Sequence, residues 1–180
     1  MDRREGNGTA MRAGARKDRD FLARMGAVFA AIRETAGLSQ FELAAATRLH
    51  VNTISNIERG RTDPSIFAVG LLCFGLGCPR IELTDSGLVP RFDPSARLPP
   101  LVFRSLVWTP EAVRVHSSSF RIRRMAAGLT LKDLSELADV HPNTVWNFEN
   151  ARAALSATAA YRLYRAVGAG SIGGTEGVLN

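Results

Sequence analysis

The sequence predicts an all-α protein in which one small helical bundle occurs twice in tandem, the copies joined by a Pro-rich linker. Three observations predict it. The chain is self-similar: a shift of ninety-one residues brings Gly37-Leu38-Ser39 onto Gly128-Leu129-Thr130. Without a gap the same shift brings Leu43 onto Leu134, His50 onto His141, Asn52-Thr53 onto Asn143-Thr144, Asn56 onto Asn147, Glu58 onto Glu149 and Arg61 onto Arg152. Such self-similarity marks a repeated supersecondary unit. Within each copy, apolar residues recur at helical spacing between capping residues. Between the copies, Pro90, Pro94, Pro99 and Pro100 forbid a long helix.

The first copy reads as four helices and a short fifth. Phe21, Leu22, Met25, Val28, Phe29 and Ile32 fall on one helical face, and Gly37 ends that helix. Ser39 opens a second helix with Glu42 three residues on, a capping box in which hydroxyl and carboxylate each satisfy a first-turn amide. It ends near Thr47. The tight turn Arg48-Leu49-His50 leads to a third helix, about Val51 to Arg59, stopped by Gly60. Asp63-Pro64 is expected to cap and start a fourth helix through Phe67, Leu71, Leu72 and Phe74, and Pro79 a brief fifth. Two short helices joined by a tight turn inside a small bundle form a helix-turn-helix.

The second copy keeps the frame. Thr130 and Asp133 replace Ser39 and Glu42, and Pro142 takes the first position of its third helix, where a missing N–H costs nothing. His50 and His141 thereby become N-caps, and Ser156 opens the last helix. The Arg121, Arg123 and Arg124 cluster disturbs the apolar register of the first helix while adding positive charge. Expected boundaries are a flexible basic arm over 1–19, units at 20–84 and 109–170, a linker over 85–108 and a flexible tail over 171–180. Within the linker, Leu101 to Trp108 is apolar enough to pack on something.

Composition narrows the function. The chain has 180 residues, 46% apolar, a net charge of +6 and a pI near 10.3, which suits an acidic partner, nucleic acid or an anionic surface. No apolar run approaches the roughly 20 residues that span a bilayer. The polar N-terminus has no apolar signal core. A cytoplasmic, nucleoid-associated protein with no membrane partner is expected. Cys73 and Cys78 suit small buried hydrophobes better than a zinc site or disulfide framework.

The segments Gly37-Leu38-Ser39-Gln40-Phe41-Glu42-Leu43-Ala44 and Thr53-Ile54-Ser55-Asn56-Ile57-Glu58-Arg59-Gly60 resemble the XRE family, the class of the phage lambda and Cro repressors. Asn143 to Glu149 resembles it too, so two lambda-repressor-like units are expected over about two-thirds of the chain. The resemblance implies that the third helix of each unit lies in the DNA major groove, and that homodimers read pseudo-palindromic operators; the tandem itself also allows one monomer on direct half-sites. The dimer contact is expected on the Phe67–Leu76 helix and the segment after it.

With the third helix starting at Val51, the outward positions are Val51, Asn52, Ser55 and Asn56, with Ile54 and Ile57 inward. By resemblance these outward residues contact bases. Asn pairs bidentately with adenine, and Val51 suits a thymine methyl. A plain helix-start cap competes for Asn52. Asn143, Trp146 and Asn147 are the second unit's base-reading candidates; Trp146 equally suits a surface that meets protein. Gln40, at a helix N-terminus that attracts anions, is a candidate for DNA phosphate, as are Arg59, Arg61 and Arg152. Leu131 replaces Gln40 in the second unit. Arg33 and Arg48 suit solvated charges as well as backbone contacts, and Glu58 and Glu149 read as structural, an ion pair or cap at a helix end. Asp139 tolerates the left-handed turn that Arg48 enters less readily.

No catalytic residues, metal ligands or cofactor are expected: His50, His116 and His141 lack a paired carboxylate or cysteine, and no phosphate-binding Gly loop occurs. The reading is a DNA-binding transcription regulator of a bacterium or phage, not an enzyme. The alternative is an antiactivator or antitoxin-like regulator, with one or both units binding protein and the second domain as the docking site.

Overall fold

In a computed structural model, residues 4–78, 80–85, 87–91 and 110–172 are described. Four helices form the first unit: α1 (Arg4–Thr35), α2 (Gln40–Thr47), α3 (Val51–Glu58) and α4 (Ile66–Gly75). Strands β1 (Arg80–Thr84) and β2 (Gly87–Arg91) follow. Four more helices repeat the pattern: α5 (Pro110–Ala126), α6 (Leu131–Ala138), α7 (Pro142–Glu149) and α8 (Ala157–Ala166). Strand β3 (Ser171–Ile172) closes the described chain. The all-α expectation is met in that the described residues are mostly helical, with one small sheet added.

Capping chemistry sets these boundaries. The Glu42 N–H donates to Ser39 Oγ and the Ser39 N–H to Glu42 Oε2, at 3.2 and 2.7 Å. Thr130 and Asp133 form the same box at 3.1 and 2.9 Å. The Ser39 and Thr130 hydroxyls also donate to the Glu42 and Asp133 carboxylates, at 2.7 and 2.6 Å, and these bonds, with the cap N–H bonds second, hold both carboxyls below the usual carboxylate range. The turns before α3 and α7 pass through left-handed conformations at Arg48 (φ 58°) and Asp139 (φ 50°).

Several elements differ from the expected ones. α1 begins at Arg4 and runs through residues expected to be a flexible arm; the segment lacks proline, so helix propagates back from the packed Phe21–Ile32 face. α4 is capped by Ser65, whose Oγ accepts from the Ala68 N–H at 3.2 Å, not by Asp63-Pro64. In place of a fifth helix begun by Pro79, β1 and β2 form an antiparallel hairpin, with β2 inside the segment expected as linker. Ile81 and Leu83 are buried around the half-buried Glu82, an alternation of period two that suits a strand. Pro90 pairs with Ile81 on β2, an edge strand in the order β2-β1-β3, where a missing N–H is tolerated. Pro79, Leu101 to Trp108 and the tail from 173 onward lie outside the described residues.

The two units share one core. A single apolar cluster runs from Phe21, Met25, Phe29, Leu43, Ile54 and Leu72 to Phe120, Leu134, Val145, Phe148 and Leu163. β3 pairs with β1, Ile172 opposite Ile81, and the Leu83 N–H donates to Gly170 O at 2.9 Å. Phe21 packs on Tyr161 with ring centroids 5.1 Å apart, and the Tyr161 hydroxyl donates to Thr84 O at 2.7 Å. The second unit thus covers part of the surface expected to meet another chain: Phe67 on α4 stacks edge-on against His116 of α5.

One pair of equivalent positions differs in backbone strain. Gly60 takes φ 63° where a Cβ would lie 2.7 Å from the Ala23 backbone; its counterpart Ala151 takes φ 55° with a side chain present. An L-residue there costs roughly 1–2 kcal/mol, offset in part by glycine's larger backbone entropy. Ala151→Gly is expected to raise stability by about 0.5–1 kcal/mol in urea denaturation, whereas Gly60→Ala lowers it by more than about 1 kcal/mol. Destabilisation by Ala151→Gly would contradict this reading.

Candidate nucleic-acid interface

Each third helix is split cleanly into a buried and an open face. On α3, Ile54 and Ile57 are fully buried, Asn52 and Asn56 are exposed, and Val51 and Ser55 are half-buried. On α7, Val145 and Phe148 are buried, Asn143 and Trp146 are exposed, and Asn147 is half-buried. The residues read as outward from sequence therefore lie together on one face of each helix, and that face is open to solvent.

The helix starts are capped by imidazole. His50 Nδ1 accepts from the Asn52 N–H, and His141 Nδ1 from the Asn143 N–H, both at 3.2 Å. His50, not Asn52, therefore caps α3, and the Asn52 side chain is left exposed. An imidazole in this role must keep its Nδ1 lone pair free.

The far ends are fixed by a buried ion pair that holds three helices. Arg33 sits near the end of α1. Its Nε and Nη2 donate to the two oxygens of Glu58, at 2.6 and 3.0 Å, and its Nη1 donates to Leu38 O at 2.8 Å. The guanidinium thus joins the last turn of α1, the turn before α2 and the end of α3. Arg124 repeats this with Glu149 at 2.6 and 3.0 Å and with Leu129 O at 2.7 Å. All four side chains are at most 11% exposed. The hydrogen bond to the carboxylate, set against the penalty of burial, raises both arginine pKa values above the ordinary guanidinium range.

This arrangement gives Glu58 and Glu149 the structural role expected of them and corrects two other readings. Arg33 is a buried anchor, not a solvated charge. Arg124 does not disturb the register of α5; it is the counterpart of Arg33. The signal was present in the sequence, since the shift that aligns Glu58 with Glu149 also aligns Arg33 with Arg124.

The remaining candidates lie at the start of α2 and just past the ends of α3 and α7. Gln40 Nε2 donates to Glu58 Oε2 at 2.7 Å, so its amide is oriented by the ion pair and keeps a second N–H at the α2 N-terminus. Arg59 and Arg61, directly after α3, are exposed. Arg152 lies over the Trp146 ring, its guanidinium carbon 4.5 Å from the centroid. Stacking occupies the face of the guanidinium and leaves its edge donors available. Elsewhere Cys73 and Cys78 are buried; burial pushes the Cys73 thiol well up and the Cys78 thiol to about 11, far from a reactive thiolate.

A model of the helix-turn-helix domain matches residues 24–85 and again residues 118–172, together more than half of the chain. The chain belongs to the helix-turn-helix domain family. Among curated proteins it is similar to y4dJ of Sinorhizobium fredii (strain NBRC 101917 / NGR234), an uncharacterized HTH-type transcriptional regulator, at 33% identity over 64 residues. That stretch is 36% of this chain and 83% of the relative. No solved structure matches. Both stretches matched by the helix-turn-helix model contain an Arg–Glu clamp, since Arg33 and Glu58 lie in the first and Arg124 and Glu149 in the second.

Removing one partner of such a pair leaves a buried charge uncompensated, at a cost of about 3–5 kcal/mol, while replacing both with apolar groups is far milder. Arg33→Met is expected to fall in that range in urea denaturation, and adding Glu58→Leu to recover most of the loss. A double variant no more stable than Arg33→Met would contradict the clamp.

Proposed function

We propose that the protein is a sequence-specific double-stranded DNA-binding transcription regulator that reads the major groove with α3 and α7 and acts by binding, not by catalysis. The observation that carries the reading is the pair of open faces bearing Asn52, Asn56, Asn143 and Asn147 on helices whose opposite sides are buried, in a chain of the helix-turn-helix family. The resemblance of each unit to XRE proteins supports reading those faces as the ones that meet base edges. A carboxamide pairs with adenine through N6 and N7, worth about 1–3 kcal/mol of discrimination. Val51, Ser55 and Trp146 supply apolar or small contacts beside the asparagines.

Affinity comes from the flanks. Gln40, Arg59, Arg61 and Arg152 are proposed to hold phosphates, fixing register without reading sequence. The positive net charge adds non-specific attraction, in keeping with a nucleoid-associated location. No helix among the described residues is long and apolar enough to cross a membrane.

A second reading gives the second unit a protein partner, as in an antiactivator or antitoxin-like regulator. It is favoured by Ile122, Met125 and Leu137, which stand exposed on α5 and α6, and by Leu131 where the first unit has Gln40. The two readings separate in a gel shift on genomic fragments. Asn52→Ala and Asn147→Ala are each expected to weaken specific binding by about 1–3 kcal/mol with non-specific binding intact. Arg59→Ala and Arg61→Ala are each expected to flatten the log–log salt slope by about one. Specific binding unchanged in both asparagine variants would overturn the assignment of the reading faces.

A further inference from the structure

The two units meet through a reciprocal backbone contact. Ser65 and Ser156, the N-caps of α4 and α8, face each other in an isolated antiparallel bridge. The Ile66 N–H donates to Leu155 O at 2.9 Å, and the Ala157 N–H to Pro64 O at 2.7 Å. Under the ninety-one-residue repeat, Pro64, Ser65 and Ile66 correspond to Leu155, Ser156 and Ala157. The two bonds are therefore the same bond made in each direction, and the serine at the centre faces its own counterpart.

An antiparallel bridge carries a two-fold axis between its strands, perpendicular to both. Where the paired residues are repeat equivalents, that axis relates the repeats. The relation extends outward because the units are built alike: the same capping boxes, the same left-handed turns at Arg48 and Asp139, the same Arg–Glu clamp. This is the isologous pattern of a symmetric dimer, in which one residue contacts another and its counterpart reciprocates. Here both partners belong to one chain. Further contacts brace the junction, with the Thr158 N–H donating to Asp63 Oδ1 at 3.2 Å and the Thr158 hydroxyl to Oδ2.

Resting on the DNA-binding reading above, we infer that a single chain, paired with itself through the Ser65–Ser156 bridge, reads an imperfect inverted repeat with α3 on one half and α7 on the other. A two-fold axis presents the reading helices in opposite senses, which suits inverted half-sites; a translational tandem would suit direct ones. Half-sites one helical turn apart are about 34–36 Å centre to centre, placing each helix about 17 Å from the axis. The seven steps from Glu58 to Ser65 set an upper limit of about 25 Å on that distance.

The repeat should be imperfect in a defined way. Asn52 and Asn56 have identical counterparts in Asn143 and Asn147, so the bases they meet recur in both halves. Val51 and Ser55 are replaced by Pro142 and Trp146, so the bases there differ. This departs from the homodimer that the family resemblance implies, because the second half of the pair is already in the chain.

The test is selection of DNA from a random pool by the full-length protein, followed by native mass spectrometry of the complex and by re-selection with Asn52→Ala and with Asn143→Ala. The expected result is an inverted repeat bound by one chain. Each variant should lose base preference at least tenfold in one half only, the two variants affecting opposite halves. Direct repeats, a single half-site, or an inverted repeat carrying two chains with both halves altered by one substitution would overturn the internal pairing while leaving DNA binding intact. A pool from which no sequence is enriched would overturn the DNA-binding reading and this inference with it.

Discussion

The arrangement depends on one interaction made twice, a guanidinium and a carboxylate joined edge to edge in the interior. Arg33 with Glu58, and Arg124 with Glu149, tie the last turn of the first helix in each unit to the end of the third. The remaining guanidinium donor takes the carbonyl of Leu38 or Leu129, at the turn into the second helix. Such a pair contributes little net stability against well-packed apolar residues, yet it tolerates few geometries. It therefore acts on orientation. The third helix of each unit, at eight residues too short to hold its own shape in water, is capped by imidazole at one end and fixed by charge at the other.

Packing complements the clamp. At Gly26 the first helix approaches the end of α3 so closely that a Cβ would lie 2.6 Å from Glu58 O. The second unit places Ser117 at the equivalent position, buried, its Oγ without a hydrogen-bond partner among the described residues. The second unit is thus a looser copy of the first: it carries an unsatisfied hydroxyl, a strained Ala151, a leucine for Gln40 and a tryptophan stacked under arginine for Ser55. Its clamp and caps are nevertheless intact, so the geometry of presentation is kept while the chemistry presented has changed.

What was legible in the sequence is what local chemistry decides. The capping boxes, the left-handed turn residues, the histidine caps and the alternation of Ile54 and Ile57 with Asn52 and Asn56 follow from short-range rules, and each is found in place. What was illegible depends on the other unit. Asp63-Pro64 has the form of a helix start, but Asp63 is drawn to Thr158 and Pro64 O to the Ala157 N–H, so the cap moves to Ser65. Arg80 to Arg91 forms a hairpin because β3 and Tyr161 complete it from more than seventy residues away. Pro90 argued only against helix and could not by itself distinguish a linker from an edge strand. Arg33 and Arg124 were legible but misread, since an arginine near a helix end looks solvated until its carboxylate is found across the bundle.

The proposed carboxamide contacts of α3 and α7 meet adenine in the major groove, where N7 is the acceptor, and not in the minor groove, where N3 is. The most direct measurement replaces adenines of the selected site one at a time with 7-deazaadenine or 3-deazaadenine and measures binding by the unmodified protein. Weakening by 7-deazaadenine at the bases opposite Asn52, Asn56, Asn143 and Asn147, with 3-deazaadenine neutral, is the result predicted. Weakening by 3-deazaadenine with 7-deazaadenine neutral would place the protein in the other groove and contradict the account.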